Sequence, residues 1–244
     1  MRAGAFLEAA EALPFASLDD IAGGRGLVVV APHPDDESLG CGGLIAQARA
    51  KGLPVRLVVV SDGVGSHPNS LKYPPERLRA LREGETLEAA QALGLDPRCV
   101  TFLRMPDRFV PSSGPDAVAA ADKIAALARA CDAGTILVTW AHDPHCDHAA
   151  SAAIVGLVCD RLPALRSFAY PVWGWALPPE TEVGVPRGFR LDITAEVAAK
   201  RAAVAAHRSQ TTDLIDDDPD GFRLESEMIA RFARWFEIYL DMAR

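Results

Sequence analysis

The order in which apolar runs and helix-like segments follow one another constrains this chain more than any other feature. Residues 27–31 (LVVVA) and 55–60 (VRLVVV) are short, rich in β-branched side chains and almost free of polar interruption. Such runs fit strands buried on both faces, because a strand with one face in water would alternate apolar and polar residues. Residues 99–103 (CVTFL) and 135–140 (TILVTW) have the same character, and 166–170 (RSFAY) is a weaker example. Between them lie 38–52, 76–93, 116–131 and 148–162, rich in alanine and leucine at helical spacing, with Gly52, Gly94 and Gly134 where three of these helices should stop. Strict alternation of strand and helix predicts parallel strands joined by crossover helices that cover both faces. The expected fold class is α/β, a Rossmann-like three-layer sandwich with a mostly parallel sheet, in a single domain over residues 1–244. The stretch 171–194, rich in proline, glycine and tryptophan, predicts a loop with a strand at 189–193, and 195–208 and 222–241 predict C-terminal helices.

Composition sets the class of partner. The 244 residues are 49% hydrophobic, enough to bury a sizeable core. With 25 basic against 33 acidic residues the net charge is -8, and no basic run appears, which argues against nucleic acid as a partner. Cys41, Cys99, Cys131, Cys146 and Cys159 form no C-x-x-C pair and are odd in number, which predicts a reduced, cytoplasmic protein. The acidic N-terminus does not read as a signal peptide, and no apolar run approaches the roughly 20 residues of a transmembrane segment. The sequence leaves the oligomeric state open and is compatible with a homo-oligomer.

In sheets of this kind ligands bind beyond the carboxyl ends of the strands, and there the polar chemistry is concentrated. The first strand runs into Pro32-His33-Pro34-Asp35-Asp36-Glu37. An imidazole and three carboxylates so close together call for a counter-charge, and His with Asp is a good ligand pair for zinc. Adjacent Asp35 and Asp36 should diverge, one toward the metal and one toward its water. Helix capping accounts for one acid, Glu37 being the best candidate, but not for the whole cluster. Gly40, Gly42 and Gly43 lack the G-x-G-x-x-G spacing and follow acids that would repel a pyrophosphate; close packing of the helix explains them better.

The second cluster, AHDPHCDH, follows the strand at 135–140 and holds His142, His145 and His148, half of the six histidines in the chain. His145 and His148 share a helix face. Asp147 can hold an imidazole in its tautomer, while Cys146 should point away. His33, Asp36 and His148 then give three ligands and an open position, the arrangement of a catalytic zinc. Asp35 is placed to take a proton from the metal's water, and His145 to donate to the oxyanion or leaving amine. One zinc per chain is expected; the same donors suit iron(II).

PHPDDE after the first strand and PHCDH after a later one resemble the PIG-L/LmbE-like family of zinc-dependent N-acetylglucosaminyl deacetylases. Weaker similarities extend over most of the chain: Arg82-x-x-Glu85-x-x-x-Ala89, Met105-Pro106-Asp107, and Lys200 with His207-x-Ser209-Gln210. The resemblance implies a Rossmann-like fold, zinc on His33, Asp36 and His148, Asp35 as base and His145 as oxyanion stabiliser or acid. It further implies that Arg82 and Asp107 bind the sugar or its aglycone, the substrate being a small N-acetylated amino-sugar conjugate. Cys146 departs from the family pattern, where proline is usual. Residues 61–75 look like a substrate-facing loop with His67 and Tyr73 exposed; Trp173 and Trp175 can stack on a sugar or simply pack, and His207 can touch substrate or close the C-terminal segment over the site. Competing readings are a hydrolase of another amide or ester bond, and a non-catalytic metal- or sugar-binding module. A phosphoesterase would usually want a second metal and a cationic clamp, and no second ligand set is apparent.

Overall fold

The computed structural model describes residues 1–242. Its elements are α1 (Ala3–Glu11), β1 (Phe15–Ala16), α2 (Leu18–Ala22), β2 (Gly26–Ala31), α3 (Asp36–Ala50), β3 (Val55–Ser61), α4 (Pro75–Ala92), β4 (Val100–Met105), α5 (Gly114–Ala130), β5 (Ala133–Thr139), α6 (Cys146–Arg161), β6 (Arg166–Tyr170), β7 (Gly188–Asp192), α7 (Val197–Ala206), α8 (Arg208–Thr211), α9 (Ser226–Phe232) and β8 (Phe236–Asp241). The eight strands form one sheet in the order β1-β7-β8-β6-β5-β2-β3-β4. Only β8 runs against its neighbours β6 and β7; the other pairings are parallel. The expected α/β sandwich with a mostly parallel sheet is present.

Strand β2 shows why the apolar runs are uninterrupted. Its residues are buried throughout, with Leu27, Val29 and Ala31 packing beneath α3 and α4 while Val28 and Val30 pack beneath α5 and α6. Each face thus has its own core, and a buried valine contributes roughly 1.5–3 kcal/mol. The α3 glycines serve close packing: a Cβ on Gly40 would stand 2.1 Å from the Tyr170 ring, and one on Gly43 2.5 Å from Ile193.

The C-terminal expectation needs correction. Residues 222–241 are not one helix: α9 covers only Ser226–Phe232, and Phe236–Asp241 is strand β8, inserted between β6 and β7. Its sequence FEIYLD is rich in strand-forming residues, and Glu237 satisfies otherwise unpaired groups from within the core. It takes hydrogen bonds from the Gly43 and Leu44 amides, the Lys200 ammonium and the Tyr239 hydroxyl. Gly134 likewise lies inside β5; the left-handed turn after α5 is taken by Asp132, at φ 47°. No helix among the described residues is long and apolar enough to cross a membrane.

Candidate metal centre and active site

After β2 the chain continues toward β3 on one side of the sheet, and only later returns on the other side as β5. This reversal opens a crevice at the carboxyl ends of β2 and β5, and both histidine clusters fall there. His33 follows β2, and His145 caps α6, the helix after β5, accepting a hydrogen bond on Nδ1 from the Asp147 amide at 3.2 Å.

The geometry centres on Asp36 Oδ2, which lies 3.3 Å from His33 Nδ1 and 3.3 Å from His148 Nε2. Ligand atoms about 2.0–2.1 Å from a tetrahedral zinc lie roughly 3.3 Å from one another, so these spacings are those a zinc would require. The remaining ring nitrogens are engaged elsewhere. His148 Nδ1 faces Asp143 Oδ2 at 2.9 Å, and His33 Nε2 faces Asp147 Oδ2 at 3.1 Å. Each carboxylate therefore favours the tautomer that leaves a lone pair directed at Asp36 Oδ2. His148 Nε2 is fully buried and has no hydrogen-bond partner, an arrangement costly for a polar atom unless something coordinates it. The donor set fits a zinc or similar divalent ion. His33, His145 and His148 also bring one ligand atom each within 4.8 Å of one another, as do His33, Asp107, His145 and Asp147. In His145, however, Nδ1 is already occupied by the Asp147 amide.

The electrostatics describe a site that calls for positive charge. Burial opposes a charge on His148, but Asp36 and Asp143 more than offset it and raise its pKa to about 9. Burial likewise opposes charge on His33, yet Asp107, Asp147 and Asp36 hold the imidazole well above its ordinary value. Asp36 and Asp107 lie well below the usual carboxylate range: burial works against their ionisation, and the facing imidazoles overcome it. Asp35 behaves oppositely. Burial pushes its carboxyl up to about 7, Arg82 pulls it down, and Asp36 pushes it up again. His145 is lowered, first by burial and then by His33 and His148, which favours the neutral ring.

Asp35 is held in a strained backbone, φ 131° at the N-cap of α3, a conformation that costs a non-glycine residue about 1–3 kcal/mol. Its surroundings enforce it. The Asp35 amide donates to Glu37 Oε2 at 3.1 Å, while Arg82 donates to the Pro34 carbonyl at 2.6 Å and lies 3.3 Å from Asp35 Oδ2. Glu37 is fixed in turn by His207 Nε2 at 2.9 Å. His207 is thus buried against Glu37, closing the C-terminal segment behind the site.

Of the other expected site residues, Arg82 is buried rather than on a helix surface, and its terminal nitrogens bind the Gly63 and Pro34 carbonyls. Asp107 Oδ1 lies 3.3 Å from His33 Nε2, and its Oδ2 accepts the Gly65 amide. Asp147 also accepts amides from Arg108 and Val110. The expectation that His67 is exposed is corrected: the 213–222 segment folds over it, the Phe222 amide bonds the Ser66 carbonyl, and Gly221 lies so close that a Cβ there would stand 2.2 Å from the imidazole. Tyr73 is half-buried. Trp173 lines the cleft with Phe222, edge to face at 5.3 Å, whereas Trp175 packs away from it against Arg231. Cys146 is exposed, with its sulfur toward the Arg108 carbonyl and the Asp147 carboxylate.

Asp143 is the residue that sequence reasoning missed. Its carboxylate takes His148 together with the Val172, Trp173 and Gly174 amides, tying the second cluster to the loop after β6. The available signal was an acid five residues before His148. The cleft, about 160 Å³, is lined by His33, Asp35, Arg82, Asp107, His145 and Trp173, with Gly65, Ser66, Arg108 and Phe222 completing it.

Comparison with known proteins finds relatives of the chain. The chain is 28% identical over 196 residues to a probable N-acetyl-alpha-D-glucosaminyl L-malate deacetylase 2 of Bacillus cereus, covering 79% of this chain and 87% of the relative. It is 29% identical over 248 aligned positions to a 1D-myo-inositol 2-acetamido-2-deoxy-alpha-D-glucopyranoside deacetylase of Nocardia farcinica, covering 77% and 80%. The N,N'-diacetylchitobiose deacetylase of Pyrococcus horikoshii shares the fold, with a TM-score of 0.64 at 21% identity over 97% of this chain and 90% of that one. The PIG-L profile, described as GlcNAc-PI de-N-acetylase, matches residues 28–159, which carry both histidine clusters, and the chain belongs to that deacetylase family.

Proposed function

We propose that the chain is a single-domain, metal-dependent hydrolase that removes the N-acetyl group from a small N-acetylglucosamine conjugate. The observation that carries this reading is the pair of 3.3 Å spacings about Asp36 Oδ2 beside a buried, strained carboxyl at Asp35. His33 Nδ1, Asp36 and His148 Nε2 would hold one zinc, with iron(II) as the other ion that suits them. When bound, such an ion acidifies a water and polarises the amide carbonyl.

The residues of the chain do the rest. Asp35, ionised, accepts the proton of the attacking water; Arg82 and the bond from the Asp35 amide to the Glu37 carboxylate fix the direction in which it accepts. Neutral His145, with Nδ1 committed to the Asp147 amide, keeps its proton on Nε2 and donates it as a hydrogen bond to the developing oxyanion. The proton taken by Asp35 then passes to the departing amine, releasing acetate. Asp107 and the Trp173–Phe222 pair bound the space available to the sugar, and Arg82 contributes indirectly by holding Asp35. Support for N-acetylglucosamine as the sugar comes from the named activities of the relatives. The test is an acetate-release screen of metal-quantified protein against varied N-acetylglucosaminides. Release from several of them is expected, and no release from any would overturn the reading.

A further inference from the structure

Asp35 stands at the N-cap of α3, where an aspartate ordinarily commits its carboxylate to the amides of the first helical turn. Here the side chain makes no such bond, and the Ser38 amide bonds the Asp35 carbonyl instead at 3.0 Å. Glu37 provides the reciprocal contact of a capping box, its Oε2 reaching back to accept the Asp35 amide at 3.1 Å. The Asp35 carboxylate is thereby released to the cleft, while its backbone, at φ 131°, is held from behind by Glu37 together with Arg82. Whatever fixes Glu37 therefore fixes the base. Glu37 Oε1 takes the hydroxyl of adjacent Ser38 at 2.7 Å and, from 170 residues away, His207 Nε2 at 2.9 Å; Nε2 also lies 3.2 Å from Ser38 Oγ.

Beyond these two contacts the His207 ring is without polar partners among the described residues. It is 1% exposed, and its Nδ1 is buried and unpaired, a cost that an apolar side chain would avoid. The ring is not needed to anchor the segment that carries it. The His207 carbonyl accepts the Gln210 and Thr211 amides, Ser209 binds Glu85 through N and Oγ at 2.8 and 2.6 Å, and the Gln210 carbonyl takes the Leu224 amide. A buried imidazole kept at the expense of an unpaired nitrogen is explained by the one carboxylate it grips.

Resting on the deacetylase reading above, we propose that His207 is a positioning residue for the reaction. Its Nε2–H fixes Glu37, and Glu37 holds the Asp35 backbone in the pose that aims the Asp35 carboxylate into the cleft. His207 itself lies outside the cleft, so it acts on the rate through Asp35 and not through substrate binding.

The two ring nitrogens give the experiment. In His207→Gln the amide nitrogen can take the place of Nε2 and donate to Glu37; in His207→Asn it stands near the place of Nδ1, too short to reach. For wild type and both variants, kcat, KM and bound metal are measured on an N-acetylglucosaminide that the wild type turns over. Misplacing a reacting group by about 1 Å can cost about 100-fold. His207→Asn should therefore lose about 10- to 100-fold in kcat, with KM and metal content unchanged, and His207→Gln should recover most of that loss. Equal rates in the two variants, or a loss that falls on KM or metal content in place of kcat, overturns the inference while leaving deacetylation intact. A folded His207→Gln enzyme without turnover overturns it alone, whether or not His207→Asn folds. Crystal structures of the two variants give a readout independent of turnover: the Asp35 backbone should leave φ 131° in His207→Asn and keep it in His207→Gln. An Asp35 unmoved in His207→Asn overturns the inference even if the wild type hydrolyses no N-acetylglucosaminide.

Discussion

Replacing Asp143 by asparagine separates the support of the site from its ligands. The Asp143 carboxylate accepts four hydrogen bonds: from His148 Nδ1 at 2.9 Å, Val172 N at 2.9 Å, Trp173 N at 3.0 Å and Gly174 N at 2.6 Å. An asparagine offers one oxygen with two lone pairs and turns an NH2 group toward the remaining donors. About two buried donors are left unpaired, at roughly 1–3 kcal/mol each, a total of roughly 2–6 kcal/mol. For a chain of this length each kcal/mol moves Tm by about 2–4 °C, so the Asp143→Asn protein should melt at least about 4 °C lower without metal. Loss of the carboxylate behind His148 should also weaken zinc about 10- to 100-fold. Thermal melts and competition against a chelator of known affinity measure the two effects on the same samples. A lowered Tm with unchanged zinc affinity would remove His148 from the ligand set, and wild-type values for both would refute the reasoning entirely.

Two pH dependences follow from the charges. Asp35 must be ionised to accept a proton, and burial has pushed its carboxyl up to about 7 against the pull of Arg82; a bound cation favours ionisation further. Deacetylation by the loaded enzyme should therefore rise with pH along a limb at or below about 7, measured as kcat/KM from about pH 4 to 8; a rate that falls with rising pH over that range would contradict the assignment. In the metal-free protein His33, His148 and His207 are all raised above the ordinary 6.5, despite burial, by facing carboxylates, His148 to about 9. Between those values the folded state binds more protons than the unfolded chain, so the stability these groups give is complete below about 6.5 and is lost as pH rises toward 9. Melts of chelator-treated protein should show a Tm that falls over this window; the metal-loaded protein should show a smaller fall, because the ion takes the place of the protons on two of the imidazoles.

The parts of this molecule that could be read from the sequence are those whose environment is uniform. Strands β2, β3 and β5 lie between two helical layers, so nearly every central position is apolar and the pattern declares itself. Strand β8 is just as buried in its middle, but it carries Glu237 there, and that acid is intelligible only once Lys200 and the Gly43 and Leu44 amides are seen around it. Short-range spacing within residues 222–241 favours a helix because antiparallel insertion between β6 and β7 is a long-range fact. The same limit applies to the site. His33, Asp36 and His148 could be picked out by ligand chemistry, and their meeting follows from β2 and β5 being neighbours. The supports cross between clusters in ways that chain proximity does not suggest: Asp147 attends His33, 114 residues away, rather than His148 beside it, and Asp143 attends His148. His67 is hidden by a segment about 150 residues later, around Gly221, which no local pattern could indicate.

The most direct measurement pairs metal content with acetate release in two neighbouring variants, Asp35→Asn and Asp36→Asn, on any N-acetylglucosaminide the wild type turns over. Asp36 Oδ2 lies 3.3 Å from both histidine nitrogens, whereas Asp35 faces the cleft beside Arg82. Asp35→Asn should keep close to one metal per chain and lose turnover by about 10²- to 10⁴-fold, while Asp36→Asn should lose both metal and turnover. An Asp35→Asn enzyme that still releases acetate at the wild-type rate, or an Asp36→Asn protein that binds its metal undiminished, would contradict the division of labour between these adjacent carboxylates.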